Sequence, residues 1–510
     1  MKVKLFSLVL CIFALLLISC PDPIDGSSGS SGGGGGGITT PSDVPPRLFW
    51  AADFTNDTFY QLEAELLAEG ANCRIWAEKG SGISQETANS MAKAYESEIL
   101  PKMLNTFSIK ENIYSGGRVI ARNTIELADY FGDGDGKLTI LLLDIKDGFK
   151  MGENESYVAG YFWGVNFIEN DPRDTLFRYS NECDMIYIDT NPGRPGSRDS
   201  NATFAHEMQH MMSLVTTLIT DRYPYPLDTW IDEGLSESAA WAYLGSHHQG
   251  RIRWYNDDLS GLIRKGNTFF VWDNRERENQ YAVLDDYATV YLFFQWLRLQ
   301  AGNTRIYLDI IMSDNSDYRA VLNAANSARI AGGGNNWGTL LKTWLAANYI
   351  RSSSGPYGYR GDSTLNNIQT RTVPSGTRSV PLFPGEGVYS ITNDFDLPGS
   401  SSYINYAGLD ISSSSLSDTS TYSGGALLTY NSNTNPAGPT ATGTTTGVAS
   451  NISASIEMTG SLTAITSLQG PFAIGAGDVL RRNGYGESSG FLRNGFIFEK
   501  LDRGNLSIEQ

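Results

Sequence analysis

The stretch His206-Glu207-Met208-Gln209-His210 constrains this chain more than any other part of its sequence. Residues four apart lie on the same face of an α-helix, so a helix here directs two imidazoles towards one point. Two histidines at this spacing, with a glutamate beside the first, are typical of helices that bind zinc and activate water. The stretch therefore predicts a helical zinc site with His206 and His210 as ligands and Glu207 as the general base.

A second motif, which is acidic, follows further along the chain in Asp232-Glu233-Gly234-Leu235-Ser236-Glu237. A catalytic zinc ion takes three protein ligands and a water, so one carboxylate from a second helix completes the set. Glu233 and Glu237 share a helical face. The helix-opening position favours Glu233 as the ligand, with Glu237 and Asp232 as alternatives.

Together these two motifs resemble the gluzincin metallopeptidases, the thermolysin-like clan, and within that clan the hyicolysin-type family. The resemblance covers residues 47–349 and includes an acidic glycine loop and a long buried strand. It implies an α+β, zincin-like fold of two lobes, with a mixed sheet, an active-site helix and a helical lower lobe. It also implies one catalytic Zn²⁺ held by His206, His210 and Glu233, with Glu207 as base and Glu237 orienting a ligand histidine.

Tyr287 is the candidate for donating a hydrogen bond to the oxyanion, by similarity to a tyrosine that opens a downstream helix in related peptidases. The alternative is that Tyr287 and Tyr291 pack on their own helix, since the chain has 26 tyrosines. His247 and His248 offer a different third ligand, but the glycine-spaced extension of the H-E-x-x-H-x-x-G-x-x-H type is missing after His210. We expect these two histidines to form a polar helix end.

The N-terminus has the features of an export signal. Lys2 and Lys4 precede an apolar run over residues 5–18, which is too short for an ordinary membrane span. The run ends at Cys20 in a sequence that resembles the bacterial lipobox, so we expect a signal peptide over 1–19 and a lipid anchor on Cys20. A plain secretory peptide is the alternative. The chain is then exported and anchored to a bacterial membrane, at the periplasmic face or the cell surface.

The remaining domain limits follow composition. Residues 20–46 form a Gly- and Ser-rich tether, 47–351 the zinc metallopeptidase domain, and 352–510 a Ser-, Thr- and Gly-rich module that we expect to be β-sandwich-like. Within the second of these, apolar spacing predicts a helix over residues 59–68, a strand over 73–77 and a helix over 84–100 that ends before Pro101. The run over 157–167 predicts an edge strand that pairs with an extended substrate.

Two further features leave alternatives open. The loop over residues 129–136 resembles part of a calcium loop, but Phe131 replaces the first carboxylate and no bidentate glutamate follows, so Ca²⁺ is possible and a solvated turn is favoured. Cys73 and Cys183 either pair in an oxidising compartment or stay as buried thiols.

The overall charge bears on the partners of the chain. A formal charge of -18 without a run of Lys or Arg excludes nucleic acid, because phosphate binding needs clustered cations. From the two motifs we expect a zinc endopeptidase with protein or peptide substrates, and we expect it to be a monomer. The alternatives are an exopeptidase, and a surface-exposed binding or adhesion lipoprotein with a degenerate peptidase fold, which the intact Glu207 disfavours.

Overall fold

The computed structural model describes residues 37–39, 41, 44–107, 112–115, 118–121, 136–151, 157–167, 169–220, 227–266, 269–272, 275, 282–330, 336–391, 395–417, 421–422 and 425–446. The predicted signal peptide, Cys20, most of the tether, residues 129–135 of the acidic loop and the chain after residue 446 lie outside these ranges. Within them, no helix combines the length and the apolarity needed to cross a bilayer.

The part of the chain up to residue 257 holds the elements β1 (Arg47–Asp53), β2 (Thr58–Glu69), β3 (Cys73–Glu78), α1 (Gln85–Ala94), α2 (Leu100–Phe107), β4 (Asn112–Ser115), β5 (Arg118–Ala121), β6 (Leu138–Leu143), β7 (Gly160–Phe162), β8 (Met185–Asp189), α3 (Arg198–Thr220), α4 (Thr229–Leu244) and α5 (Gln249–Asp257).

The later part holds α6 (Ala282–Ala301), α7 (Arg305–Ile311), α8 (Tyr318–Ser327), α9 (Trp337–Ile350), β9 (Ser379–Leu382), β10 (Gly387–Ile391), β11 (Phe395–Asp396), β12 (Ile404–Asp410), β13 (Ser415–Ser417), β14 (Thr421–Tyr422), β15 (Ala426–Asn431) and β16 (Ala441–Thr444). The chain divides into two compact units, whose described parts lie in residues 37–250 with 303–324, and in 251–302 with 325–446. The domain limits inferred from composition stay a prediction.

The first unit is built on a six-stranded mixed sheet in the order β1-β2-β3-β6-β8-β7. Strands β3, β6 and β8 run parallel, while β1, β2 and β7 pair antiparallel with their neighbours. All residues of β6 and β8 are buried, as expected for central strands covered on both faces. A mixed α+β unit is therefore present, with β7 as one edge strand next to helix α3.

The opposite edge strand, β1, is closed by side chains. The backbone N–H of Trp50 donates to Asn181 Oδ1 at 2.8 Å, and that of Ala52 donates to the Tyr161 hydroxyl at 3.1 Å. The Tyr187 hydroxyl donates to the Trp50 carbonyl at 3.0 Å. Since Tyr161 and Tyr187 come from β7 and β8, the sheet curls, and these contacts block strand addition at β1.

The helix predicted over residues 59–68 is wrong, because this segment is the strand β2. Leu62 and Ala64 are buried while Glu63 and Glu65 are exposed, which is the period of a strand. A shift of register near residues 66–68 interrupts that alternation and produces an apparent helical spacing. Pairing with β1 and β3 overrides the helix propensity of its Leu, Ala and Glu residues.

The helix predicted over residues 84–100 is present, but it does not end before Pro101. Ser84 caps α1 by accepting from the Thr87 N–H, and one turn of π-helix over Tyr95–Ile99 joins α1 to α2. In this turn the Leu100 N–H donates to the Tyr95 carbonyl, which widens the backbone just before the proline. The helix can therefore pass through Pro101 and continue to Phe107.

The two cysteines of the first unit, Cys73 and Cys183, are both buried, and no disulfide joins them. Burial raises the pKa of the Cys73 thiol well above its usual range, so this thiol is kept protonated and unreactive. Of the two alternatives for this pair, the structure has the buried thiols.

The second unit combines helices with antiparallel sheets. Helix α6 is buried along most of its length. Strands β10, β12 and β15 lie in one sheet with β13, in the order β10-β15-β12-β13. A buried, bidentate ion pair between Arg275 and Glu386, with N–O distances of 2.9 Å, anchors the segment before α6 to this sheet region. A sandwich architecture for residues 352–510 stays a prediction.

Candidate metal centre

Helix α3 carries the first motif through the interior of the first unit. The Ser197 hydroxyl caps its start by accepting from the Ser200 N–H at 3.1 Å. The stretch 200–213 is buried on all sides, so His206 and Glu207 are both 0 % exposed. A helix that is buried all round lies in a core and can hold polar groups only where partners face them.

Helix α4 carries the second motif and packs directly on α3. It ends at Gly245, which adopts a left-handed conformation with φ of 65° and donates its N–H to the Trp241 carbonyl. Glu233 and Glu237 lie one turn apart, and both are fully buried against α3. The two helices thus present their polar residues to each other.

The side chains of His206, His210 and Glu233 converge between the helices. Their nearest ligand atoms all lie within 4.8 Å of one another. The distance from His206 Nε2 to Glu233 Oε2 is 3.4 Å, and from His210 Nε2 to the same oxygen it is 3.9 Å. Within the described residues, this is the cluster of His, Cys and carboxylate groups that has the geometry for a metal ion.

This donor set fits zinc. A tetrahedral ion with bonds of about 2.0–2.1 Å separates its ligand atoms by roughly 3.3–3.4 Å. The His206–Glu233 distance has this value already, and the His210–Glu233 distance exceeds it by about half an ångström. Two imidazole nitrogens and one carboxylate are also a donor set found in catalytic zinc sites.

Each histidine has a carboxylate near its second ring nitrogen. Asp232 Oδ2 lies 2.9 Å from His210 Nδ1, and Glu237 Oε1 lies 3.6 Å from His206 Nδ1. Such partners hold an imidazole in the orientation and tautomer that leave Nε2 for a metal. Asp232 was the weaker ligand candidate in the sequence, and its contact with His210 was not foreseen there. The signal that could have shown it is the i, i+4 spacing of Asp232 and Ser236, both of which contact His210.

Burial dominates the electrostatics of Glu207. It raises the pKa of this carboxyl well above its usual range, and the charge of Asp232 raises it further. A hydrogen bond from the Phe162 backbone on β7 acts in the opposite direction. A carboxyl with a raised pKa is a stronger proton acceptor, which suits a general base.

The remaining site candidates belong to other elements of the chain. Tyr287 is on α6 in the second unit, where its ring contacts Trp272 edge to face and lies under the Arg251 guanidinium at 4.5 Å. Its part in stabilising an oxyanion stays a prediction. His247 and His248 lie in the turn between α4 and α5 and are outside the metal-binding cluster. Cys20 lies outside the described residues.

One curated protein with which the chain aligns is the neutral metalloprotease ShpI of Staphylococcus hyicus. The two sequences are 26% identical over 364 residues, which cover 69% of this chain and 73% of that protein. No protein-family model matches the chain. The similarity is thus to a metalloprotease, as the two motifs predicted.

Proposed function

We propose that this chain is a zinc-dependent endopeptidase that hydrolyses peptide bonds in proteins. The observation that carries the proposal is the convergence of His206, His210 and Glu233 beside Glu207 in a buried site. The similarity to a neutral metalloprotease supports a metal-dependent peptidase, and the two-histidine, one-carboxylate donor set supports zinc.

The chemistry divides between the ion and the protein. Zinc held by these three residues would lower the pKa of a water and polarise the scissile carbonyl. Glu207 accepts the proton of the attacking water at a carboxylate oxygen and returns it to the leaving amide nitrogen. Asp232 and Glu237 keep the two imidazoles oriented during this exchange.

Strand β7 supports a polypeptide substrate. It is an edge of the six-stranded sheet, and its Phe162 backbone contacts Glu207. An extended peptide can pair with such an edge through its own backbone, which brings a peptide bond to the base. Because that pairing does not require a chain terminus, it favours an endopeptidase over an exopeptidase.

The test is casein hydrolysis by Glu207→Gln, with zinc content measured on the same samples. We expect a loss of about 10²–10⁴-fold in kcat while one zinc per chain is kept, because the amide cannot accept the proton. Glu63→Gln is the matched control: Glu63 is an exposed residue of β2, so activity should be unchanged. Full activity in Glu207→Gln would exclude this base, and a wild type without stoichiometric zinc would exclude the metal.

We also propose that the protein is displayed as an exported, lipid-anchored protein through Cys20. The support is the sequence itself, where the apolar run ends at this cysteine. Metabolic labelling with a radioactive fatty acid should mark the wild type and leave Cys20→Ser unlabelled. Equal labelling of both would exclude the anchor at this residue.

A further inference from the structure

A chain of buried side-chain hydrogen bonds connects His210, through Ser236 and Gln209, to Ser213 on α3. The Gln209 amide donates from Nε2 to Ser213 Oγ at 2.7 Å. Its Oε1 accepts from the Ser236 hydroxyl at 2.6 Å, and the Ser236 oxygen lies 3.0 Å from His210 Nδ1. Gln209 and Ser236 are 0 % exposed, so these bonds form away from bulk water.

The protonation of His210 follows from its acidic neighbour. A carboxylate accepts hydrogen bonds, so the 2.9 Å contact with Asp232 Oδ2 favours the tautomer with a proton on His210 Nδ1. The lone pair of the neutral imidazole is then on Nε2, the nitrogen nearest Glu233 that a metal would bind. In this tautomer the Ser236 oxygen, 3.0 Å from Nδ1, faces the same N–H as a second acceptor.

Gln209 decides which role Ser236 takes. Because the Ser236 proton is already donated to Gln209 Oε1, the hydroxyl faces His210 as an acceptor. Without that carbonyl, the hydroxyl could turn and donate to Nδ1. That arrangement would compete with the Asp232 contact and shift the ring towards the tautomer with the proton on Nε2, a nitrogen that then has no lone pair for a cation.

We infer that Gln209, which lies between the two histidines in the sequence, is a positioning residue that acts through Ser236 to keep His210 in its metal-binding tautomer. The inference rests on the zinc site of the proposed function. It concerns a residue that is not among the three ligands and that faces Ser213 and Ser236.

The first test measures zinc affinity of the full-length protein by competition with a chromogenic chelator at fixed pH. We expect Gln209→Leu and Ser236→Ala each to weaken binding by about 10-fold, the lower end of the effect of removing a partner of a metal ligand. The double variant should bind no more weakly than Ser236→Ala alone, because Gln209 acts through that hydroxyl. Ser236→Thr, which keeps the hydroxyl, should restore the affinity.

The matched control is Gln295→Leu. Gln295 is equally buried, on α6 of the second unit, where it accepts from Arg298. This variant carries the same loss of a buried amide and should keep the wild-type zinc affinity. Equal weakening in Gln209→Leu and Gln295→Leu, or additive effects of Gln209→Leu and Ser236→Ala, would overturn the inference.

The second test needs no metal. The chain has four histidines, so ¹⁵N-histidine labelling gives a small set of ring signals in which His210 is assigned by its loss in His210→Asn. In metal-free wild type we expect His210 as the Nδ1–H tautomer, and in Gln209→Leu a shift towards Nε2–H. An unchanged tautomer in Gln209→Leu would overturn the inference. A wild type that binds no zinc would instead refute the proposed function, while this measurement would still report on Gln209.

Discussion

Two groups of carboxylates in the described part of the first unit, buried except for the partly exposed Asp232, differ in the groups that they face. Between α3 and α4, Asp232, Glu233 and Glu237 face imidazole nitrogens of the other helix. At the carboxyl ends of the parallel strands, Asp147 and Asp189 face backbone N–H groups. Asp147 accepts from Phe149 and Val158, and Asp189 accepts from Ile145, Asn191 and Gly193.

This second group adjoins a cleft of about 660 Å³, whose lining includes Asp53, Glu78, Asp144 and Asp147. Cleft size and negative charge would favour it as a binding site. The hydrogen bonds disfavour metal binding there, because Asp147 and Asp189 already accept from backbone N–H groups of the loops that they hold in place. Metal-binding capacity therefore follows from the convergence of donor atoms, which only the α3–α4 group achieves within the described residues.

Glu233→Ala should have the largest effect of any substitution among these carboxylates. Removing the carboxylate leaves two imidazoles, too few ligands for a stable zinc ion, so stoichiometric metal should be lost. Peptidase activity should then fall on the order of 10³-fold, since the ion contributes several kcal/mol of transition-state stabilisation. Metal analysis and casein hydrolysis on the same preparation check both effects.

Asp147→Asn is the control for that variant, because it also neutralises a buried carboxylate of the first unit. We expect it to keep its zinc and to change kcat/KM by less than about twofold, apart from any loss of folded protein. Zinc content unchanged in Glu233→Ala, or lost in Asp147→Asn, would invert the assignment of the two groups.

A smaller effect should follow from Asp232→Ala. Its carboxylate orients His210 without belonging to the three-residue cluster, so its removal should weaken zinc binding by about 10–100-fold. Asp232→Asn keeps an acceptor oxygen and should recover part of the affinity. Glu237→Ala should have a weaker effect, because its oxygen lies 3.6 Å from His206 rather than at hydrogen-bond length. Wild-type affinity in Asp232→Ala would remove this residue from the site.

The parts of the site that the sequence predicted are those whose residues lie close together along the chain. His206 and His210 lie four residues apart on one helix, so their common face, with Glu207 next to His206, follows from spacing alone. Glu233 was favoured by its helix-opening position and by the resemblance to the gluzincin metallopeptidases. The contacts of Asp232, Ser236 and Gln209 depend on how α4 is rotated against α3. That rotation is set by packing between the helices, which local spacing does not encode.

The fold shows the same division. The strand predicted over residues 73–77 is present as β3, whereas β2 was mistaken for a helix because its residues favour helix and its bulge breaks the alternation. The helix predicted over residues 84–100 continues past Pro101 into α2 because a turn of π-helix before the proline accommodates it. In both cases a tertiary or backbone adjustment overrode a local signal.

The last prediction concerns how stability depends on pH, and it belongs to the carboxylates that hold loops, Asp147 and Asp189. Burial raises the pKa of Asp189 to about 7, and the charge of Asp147 adds to this, although three backbone N–H donors oppose it. Because the pKa is higher in the folded state than in the unfolded chain, the folded state binds this proton more tightly. Its stabilising contribution is complete below the ordinary value of 3.8 and is lost as pH rises through about 7.

Urea unfolding of metal-free wild type and Asp189→Asn between pH 4 and 8 measures this contribution, because the pH effects of the metal-site residues are common to both proteins and cancel in the difference. The asparagine cannot titrate, so the wild type should lose stability relative to the variant as pH rises from about 4 to 7, on the order of 1 kcal/mol per pH unit. Parallel curves would mean that the three N–H donors outweigh burial and that Asp189 is ionised throughout. The two groups of carboxylates would then differ in their partners but not in their charge.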